Sequence, residues 1–207
     1  MKLIAFDTST EFTSVALDLD GEQQHWIQHT PQQHAKLLLG VIDRLLADAG
    51  IRRTALDAIA FGCGPGSFTG VRLATAVAQG LSFGLDLPAV PVSTLAAVSL
   101  AAVPQAAGLP VLALLDARMG EVNAGLYAAE GAGVRALSAE QVIAPAQLAL
   151  AVDGSVAVCG GGFRVYAGQL PPPLRERLRP LDAVESPEAV AIARLARLKL
   201  AAGLREA

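Results

Sequence analysis

The stretch Gly62-Cys63-Gly64-Pro65-Gly66-Ser67-Phe68-Thr69-Gly70-Val71-Arg72 decides how this chain folds. The apolar run Ala58–Phe61 leads into it, and a mostly apolar segment leads out to Phe83, with Gly84 placed to end it. A short apolar run before clustered glycines reads as a buried strand, and the longer run after them as a helix from about Ser67. Glycines at such a joint permit tight turns, and the free N–H groups of the helix start make an anion cradle one option. It is not a Walker phosphate loop, because no Gly-Lys-Ser/Thr follows. It is a poor dinucleotide fingerprint too, since Ser67 replaces the third glycine and no suitable acidic residue ends the next strand. No Gly-x-Ser-x-Gly nucleophile elbow occurs.

Working outward, residues 2–6 read as a buried strand ending at Asp7-Thr8-Ser9-Thr10, followed by strands Ser14–Leu19 and Gln23–His29. Asp20-Gly21 between the last two is a hairpin signal, because a type I′ turn needs positive φ at both central residues. Thr30-Pro31-Gln32-Gln33 predicts a helix start, with Thr30 as N-cap, Pro31 in the first turn and Gln33 closing a capping box. Ala35, Leu38, Leu39, Ile42, Leu45, Leu46 and Ala49 follow at helical spacing, and Gly50 is expected to terminate. Strand Ala89–Val92 and helix Ser93–Val103 complete the order βββαβαβα.

A similar order then starts again. Val111–Leu115 ends at Asp116 as the first strand ends at Asp7, and Val122–Tyr127 and Val134–Leu137 follow. A helix is predicted near Pro145–Val152, a strand at Val156–Cys159 running into Gly160-Gly161-Gly162, and a final helix capped at Ser186-Pro187-Glu188 and running to about Ala202. This internal duplication predicts two lobes, residues 1–105 and a smaller one, 106–207, with a cleft between them.

With 207 residues, 53% of them apolar, the chain can bury a sizeable core without staples. A net charge of −3 with no run of like charges argues against a dominant nucleic-acid surface. The two cysteines, Cys63 and Cys159, suit a reducing compartment. The start reaches Asp7 before any signal-like stretch, and no apolar run is long enough to span a membrane, so a cytoplasmic protein is expected.

Two groups of residues are candidates for function. Asp7, Thr8 and Ser9, with Gly66 and Ser67, and Asp116 with Arg118, could line a nucleotide or anion cleft in which a carboxylate orients a metal-bound phosphate. The competing reading has Asp7 simply capping its own turn, and Arg118 pairing with an anion or with Glu121. The second group is apolar. Gly80, in a helix interior, costs about 1 kcal/mol relative to Ala, a cost usually offset by something approaching the backbone closely. Phe68, Thr69, Arg72, Leu73, Ala76 and Val77 surround it on the same helix, and Leu37 and Val41 give the preceding helix a second apolar stripe. Two adjacent helices with spare apolar surface suit a partner helix pair. His25, His29 and His34 are read as solvated. Arg194, Arg197, Lys199 and Arg205 are read as a solvated helix face, with tRNA contact as the alternative.

Asp7-Thr8-Ser9-Thr10 with Ser14-Val15-Ala16-Leu17, the string Gly64–Arg72, and Asp116-Ala117-Arg118-Met119-Gly120-Glu121-Val122 together resemble the bacterial TsaB (YeaZ) family. The resemblance implies an α/β, actin-like (sugar kinase and Hsp70-like, ribonuclease H-like) fold of two βββαβα lobes. It implies a non-catalytic subunit of the machinery making threonylcarbamoyladenosine beside the anticodon of tRNA. Helices Gln33–Ala49 and Ser67–Phe83 would form a four-helix contact with the catalytic paralogue TsaD. The ATPase TsaE would be a further partner, homodimers would use the same surface, and tRNA would be met only through the complex. The paralogue's metal motif, His-x-x-x-His, is not expected here, because no histidine follows His34. Weak binding of ATP or ADP with Mg²⁺ stays open, as does an ATPase or phosphotransferase using Asp7 and Asp116.

Overall fold

Near-continuous apolar runs in β1 (Lys2–Asp7) and β4 (Ala58–Gly62) bury both faces of these strands, β2 (Phe12–Leu19) is buried along almost its whole length beside β1, and the first sheet is built around them. A computed structural model describes residues 1–181 and 184–204. Its contacts divide the chain into Met1–Thr94 with Pro187–Ala207, and Leu95–Ser186. The division falls before residue 105, and the last helix returns to the first unit, unlike the two contiguous lobes expected from the repeat.

In the first unit the strand order is β3-β2-β1-β4-β5, with β3 at Glu22–His29 and β5 at Ala89–Val92. β1, β2 and β3 pair antiparallel, while β4 runs parallel to β1 and β5. Asp20 and Gly21 have φ of 56° and 102°, the positive pair that the tight β2–β3 turn requires. One face, with Ile4, Phe6, Val15, Leu17, Ile59 and Phe61, packs under α1 (His34–Asp48) and α2 (Phe68–Leu85). The other carries small residues such as Ala5, Ala16 and Ala60, and the alanine-rich α6 (Ala189–Ala201) lies over it.

Helix α6 is held by polar ties at both ends. The Ala189 N–H donates to buried Ser14 Oγ at 2.8 Å, which replaces the cap expected from Ser186. Arg197 donates to Asp18 Oδ1 at 2.7 Å, and Lys199 Nζ to the Pro91 carbonyl at 2.6 Å. These two cations are therefore bound within the unit and are not a solvated face; Arg194 is exposed and Arg205 lies outside the described residues.

The start of α1 also differs from expectation. Gln33 stands at its N-cap without a side-chain bond, and Thr30 does not cap it. Thr30 Oγ1 instead lies 2.6 Å from Thr13 Oγ1, which is itself 2.6 Å from His34 Nδ1. His34 is thus half-buried and partnered, not solvated, and burial lowers its pKa. A hydroxyl pair reaching across from β2 outbids the local capping box, which sequence spacing alone does not reveal.

The second unit repeats the plan. Its sheet reads β8-β7-β6-β10-β11 from one edge, with β6 at Val111–Arg118, β7 at Glu121–Glu130, β8 at Gly133–Ala136, β10 at Val156–Cys159 and β11 at Leu178–Pro180. β6, β7 and β8 are antiparallel and β10 and β11 continue parallel, as in the first sheet. A short strand β9 (Gln141–Ile143) also pairs with β7. The helix α3 (Thr94–Ala102) packs its length beyond Thr94 on one face, against Val111, Ala113 and Leu115. The short helices α4 (Gly161–Tyr166) and α5 (Pro172–Arg177) add Tyr166 and Leu174 to the other. The helix predicted near Pro145–Val152 is only a 3₁₀ turn at Pro145–Gln147, after which Leu148 drops into the core.

Candidate functional site

β1 and β4 run parallel with Phe6 beside Phe61, so the Asp7–Thr10 turn and the glycine joint emerge at the same sheet end. The glycines are there because that turn lies across the joint. A Cβ on Gly62 would stand 1.8 Å from Asp7 Oδ2, one on Gly66 2.5 Å from the Ser9 carbonyl, and one on Gly70 1.8 Å from the Thr8 carbonyl. Gly64 has φ +94°, which glycine alone adopts readily. Thr8 Oγ1–H donates to the Gly70 carbonyl at 2.7 Å, and the Ser67 N–H to the Ser9 carbonyl at 2.6 Å. Thr94 closes the other side through bonds to the Gly64 and Pro65 carbonyls. The joint is a packed hinge that fixes the direction of α2.

Asp7 takes the capping role at this turn. Its Oδ1 accepts from the Ser9 N–H at 2.7 Å and from Ser9 Oγ at 2.8 Å, while Oδ2 is buried without a hydrogen-bond partner among the described residues. The residue is 1% exposed, and burial raises its pKa to about 6 against the lowering by the two Ser9 bonds. A Mg²⁺ ligand must be reachable as well as ionised, and Asp7, 1% exposed, is not reachable. Thr8 and Ser9 are buried with it, so these residues do not fit a metal-bound phosphate.

Helix α2, aimed by this hinge, shows solvent a continuous row. Phe68 is 69% exposed with the Arg72 guanidinium stacked 3.6 Å from its ring centroid, and Thr69, Ala76 and Gly80 follow in the exposed row. Phe83, at 93% exposure, extends the row into the last turns of the helix. A Cβ on Gly80 would meet nothing within 4 Å, nor would one on Gly84 or on Gly40 of α1. Among the described residues no neighbour therefore accounts for glycine at position 80. Leu73 and Val77 are only half-exposed, being packed on the first core. On α1 the apolar stripe is narrower than expected. Val41 is buried in the chain's own core and Leu37 is half-buried, while Leu39 is the exposed apolar residue.

In the second unit, Asp116 ends the regular part of β6 as Asp7 ends β1. Its Oδ1 accepts from the Arg118 N–H at 2.8 Å and from Tyr166 Oη at 3.1 Å, and the Arg118 guanidinium lies 3.6 Å from Oδ2. Tyr166 also meets the Gly120 backbone, and its pKa is raised first by burial and then by Asp116.

His25 and His29 do stand at His-x-x-x-His spacing, a match that the lack of later histidines does not remove. On a strand that spacing separates them by about 13 Å, whereas one helical turn would bring them together. Among the described residues no three His, Cys, Asp or Glu side chains gather for a metal ion. Burial pushes the Cys159 thiol up to about 12, which makes it a packing residue. No helix among the described residues is long and apolar enough to cross a membrane.

Residues 28–207 match the family model described as tRNA N6-adenosine threonylcarbamoyltransferase, TsaD. The tRNA threonylcarbamoyladenosine biosynthesis protein TsaB of Haemophilus influenzae is 48% identical over 122 residues, which are 59% of this chain and 52% of that protein. The chain thus spans about half the length of this curated relative. The solved structure of YeaZ from Pseudomonas aeruginosa is 38% identical with a TM-score of 0.92, over 99% of this chain and 94% of that one. An inorganic polyphosphate/ATP-glucomannokinase from an Arthrobacter strain is 15% identical, with a TM-score of 0.52 over 98% of this chain and 99% of that one, a likeness of fold alone. The two sheets of this chain share one strand order, and the fold is the α/β, actin-like one. The glycine joint, that sheet order and a match along nearly all of a YeaZ structure converge, and the chain belongs to the TsaB (YeaZ) family.

Proposed function

We propose that this chain is a non-catalytic scaffold and activating subunit in the threonylcarbamoylation of the adenosine next to the anticodon in tRNA. It works in the cytoplasm by pairing with the catalytic paralogue TsaD, and with TsaE, and it meets tRNA only through that complex. In isolation it pairs with a second copy through the same surface. The observation that carries this reading is Gly80, which weakens a helix interior although an added Cβ would meet nothing among the described residues. A second helix crossing at that point needs the missing Cβ, and exposed Phe68 and Phe83 offer it apolar anchors at either end. The wide separation of His25 and His29 on β3 supports assigning the chemistry to the partner.

A second reading, an ATP- and Mg²⁺-dependent ATPase or phosphotransferase using Asp7 and Asp116, has one observation in its favour, the unpartnered Asp7 Oδ2. Burial of the whole Asp7–Ser9 turn weighs against it. The test is tRNA modification reconstituted with the catalytic paralogue and read as modified nucleoside by mass spectrometry. Gly80→Arg is expected to abolish the stimulation given by the wild-type chain while the variant stays folded. Full stimulation by a folded Gly80→Arg chain would refute the surface, and ATP turnover that disappears in Asp7→Asn would favour the enzyme.

A further inference from the structure

The two sheets are covered unequally. In the first, the segment between β3 and β4 forms α1, which sets Leu38, Ile42 and Leu46 into the core. In the second, the segment between β8 and β10 forms only β9 and the turn at Pro145–Gln147, and among the described residues Leu148 alone carries it into the buried cluster. A cavity of about 320 Å³ remains beneath that segment and opens to solvent. Leu112, Ala124, Leu126 and Leu148, each no more than 2% exposed, form its floor. Ser138 and Gln141 stand at its rim, with Ala149–Ala151, which lie outside any helix or strand. All of these residues belong to the second unit.

We infer that this cavity is a binding site for a small uncharged molecule with an apolar body of two-ring size and one hydrogen-bonding group. The lining selects that class by charge and by volume. None of its side chains is ionisable, so a phosphate, a carboxylate or an ammonium group would give up its hydration for no counter-charge. An apolar cavity of about 150 Å³ takes up benzene, and roughly twice that volume suits a body of about ten heavy atoms. Ser138 and Gln141 offer a hydroxyl and an amide to one polar group left at the mouth. The site is separate from the α2 row and does not rest on the pairing proposed above.

Thermal unfolding of the full-length chain with indole, and with indole-3-carboxylate as its charged counterpart, tests the site. Two variants fill it: Ala124→Leu from the floor, and Ala149→Phe from the exposed rim, where the sheet is untouched and folding is not at risk. Indole at low-millimolar concentration is expected to raise the wild-type midpoint by about 3 °C, and indole-3-carboxylate by less than about a third of that. Neither variant is expected to respond, whereas Gly80→Arg, altered only on α2, responds as wild type. No rise with indole overturns the site, and an equal rise with the carboxylate overturns the ligand class. A rise kept in both cavity variants, or lost in Gly80→Arg, puts the binding elsewhere and overturns this cavity as its place.

Discussion

Asp7 shows how much of a site can turn on one carboxyl. Both readings of it, turn cap and phosphate ligand, were open in the sequence because Asp-Thr-Ser-Thr at a strand end serves either. Geometry separates them: the group hydrogen-bonds to Ser9 two residues on and lies against Gly62, where a Cβ would overlap it. Burial raises its pKa from 3.8 to about 6. Since the folded value exceeds the unfolded one, this group's contribution is complete below about pH 4 and is lost as pH rises through 6. The full loss is about 3 kcal/mol by pH 8. Chemical denaturation at pH 5 and pH 8 should therefore show the wild type less stable at the higher pH. Asp7→Asn should remove most of that difference, and parallel profiles for the two proteins would show that Asp7 is ionised throughout.

At the scale of elements, glycines divide into those the fold demands and those it does not. Gly62, Gly66 and Gly70 are pressed by the Asp7–Thr10 turn, while Gly80 is free. Gly80→Ala is therefore expected to stabilise the protein by about 1 kcal/mol when measured at dilutions where the chain is monomeric, a rise of ~2–4 °C in melting midpoint. The same substitution should weaken association with the partner, and a fall in the midpoint would mean that the position is occupied within the chain. For α6, the tie to examine is Arg197 with buried Asp18. Arg197→Ala strands that carboxylate and is expected to cost about 3 kcal/mol in urea denaturation; a loss under about 0.5 kcal/mol would show that Gly21 and Gln23, which also donate to Asp18, suffice.

Strands β1 to β5, the glycine joint and the Asp20-Gly21 turn were legible in the sequence, because each follows from apolar alternation or from a φ requirement that few residues meet. What was not legible depends on residues far apart in the chain. Ser14 on β2 caps α6, Thr13 takes Thr30 away from its capping box, and Val41 sinks into the core beneath a stripe that looked spare. Cap signals at Ser186 and Thr30 were chemically sound and were overridden by tertiary partners. Along α2 the sequence pointed to Phe83 beside Ala76 and Gly80, but only the structure shows that Phe68 and Phe83 stand exposed while Leu73 and Val77 are half-buried.

For the whole molecule, the proposed function has a chain of actin-like plan giving the exposed apolar row of α2 to another protein. The duplicated sheets supply rigidity, the joint at Gly62–Gly70 sets the course of α2, and that helix presents Phe68, Ala76, Gly80 and Phe83 outward. Size-exclusion chromatography with light scattering, on the chain alone and with the catalytic paralogue, tests this most directly. The account predicts a homodimer that gives way to a one-to-one heterodimer on adding the paralogue, with Gly80→Arg monomeric in both runs. A Gly80→Arg chain that is folded and still forms either assembly at wild-type concentration would contradict it.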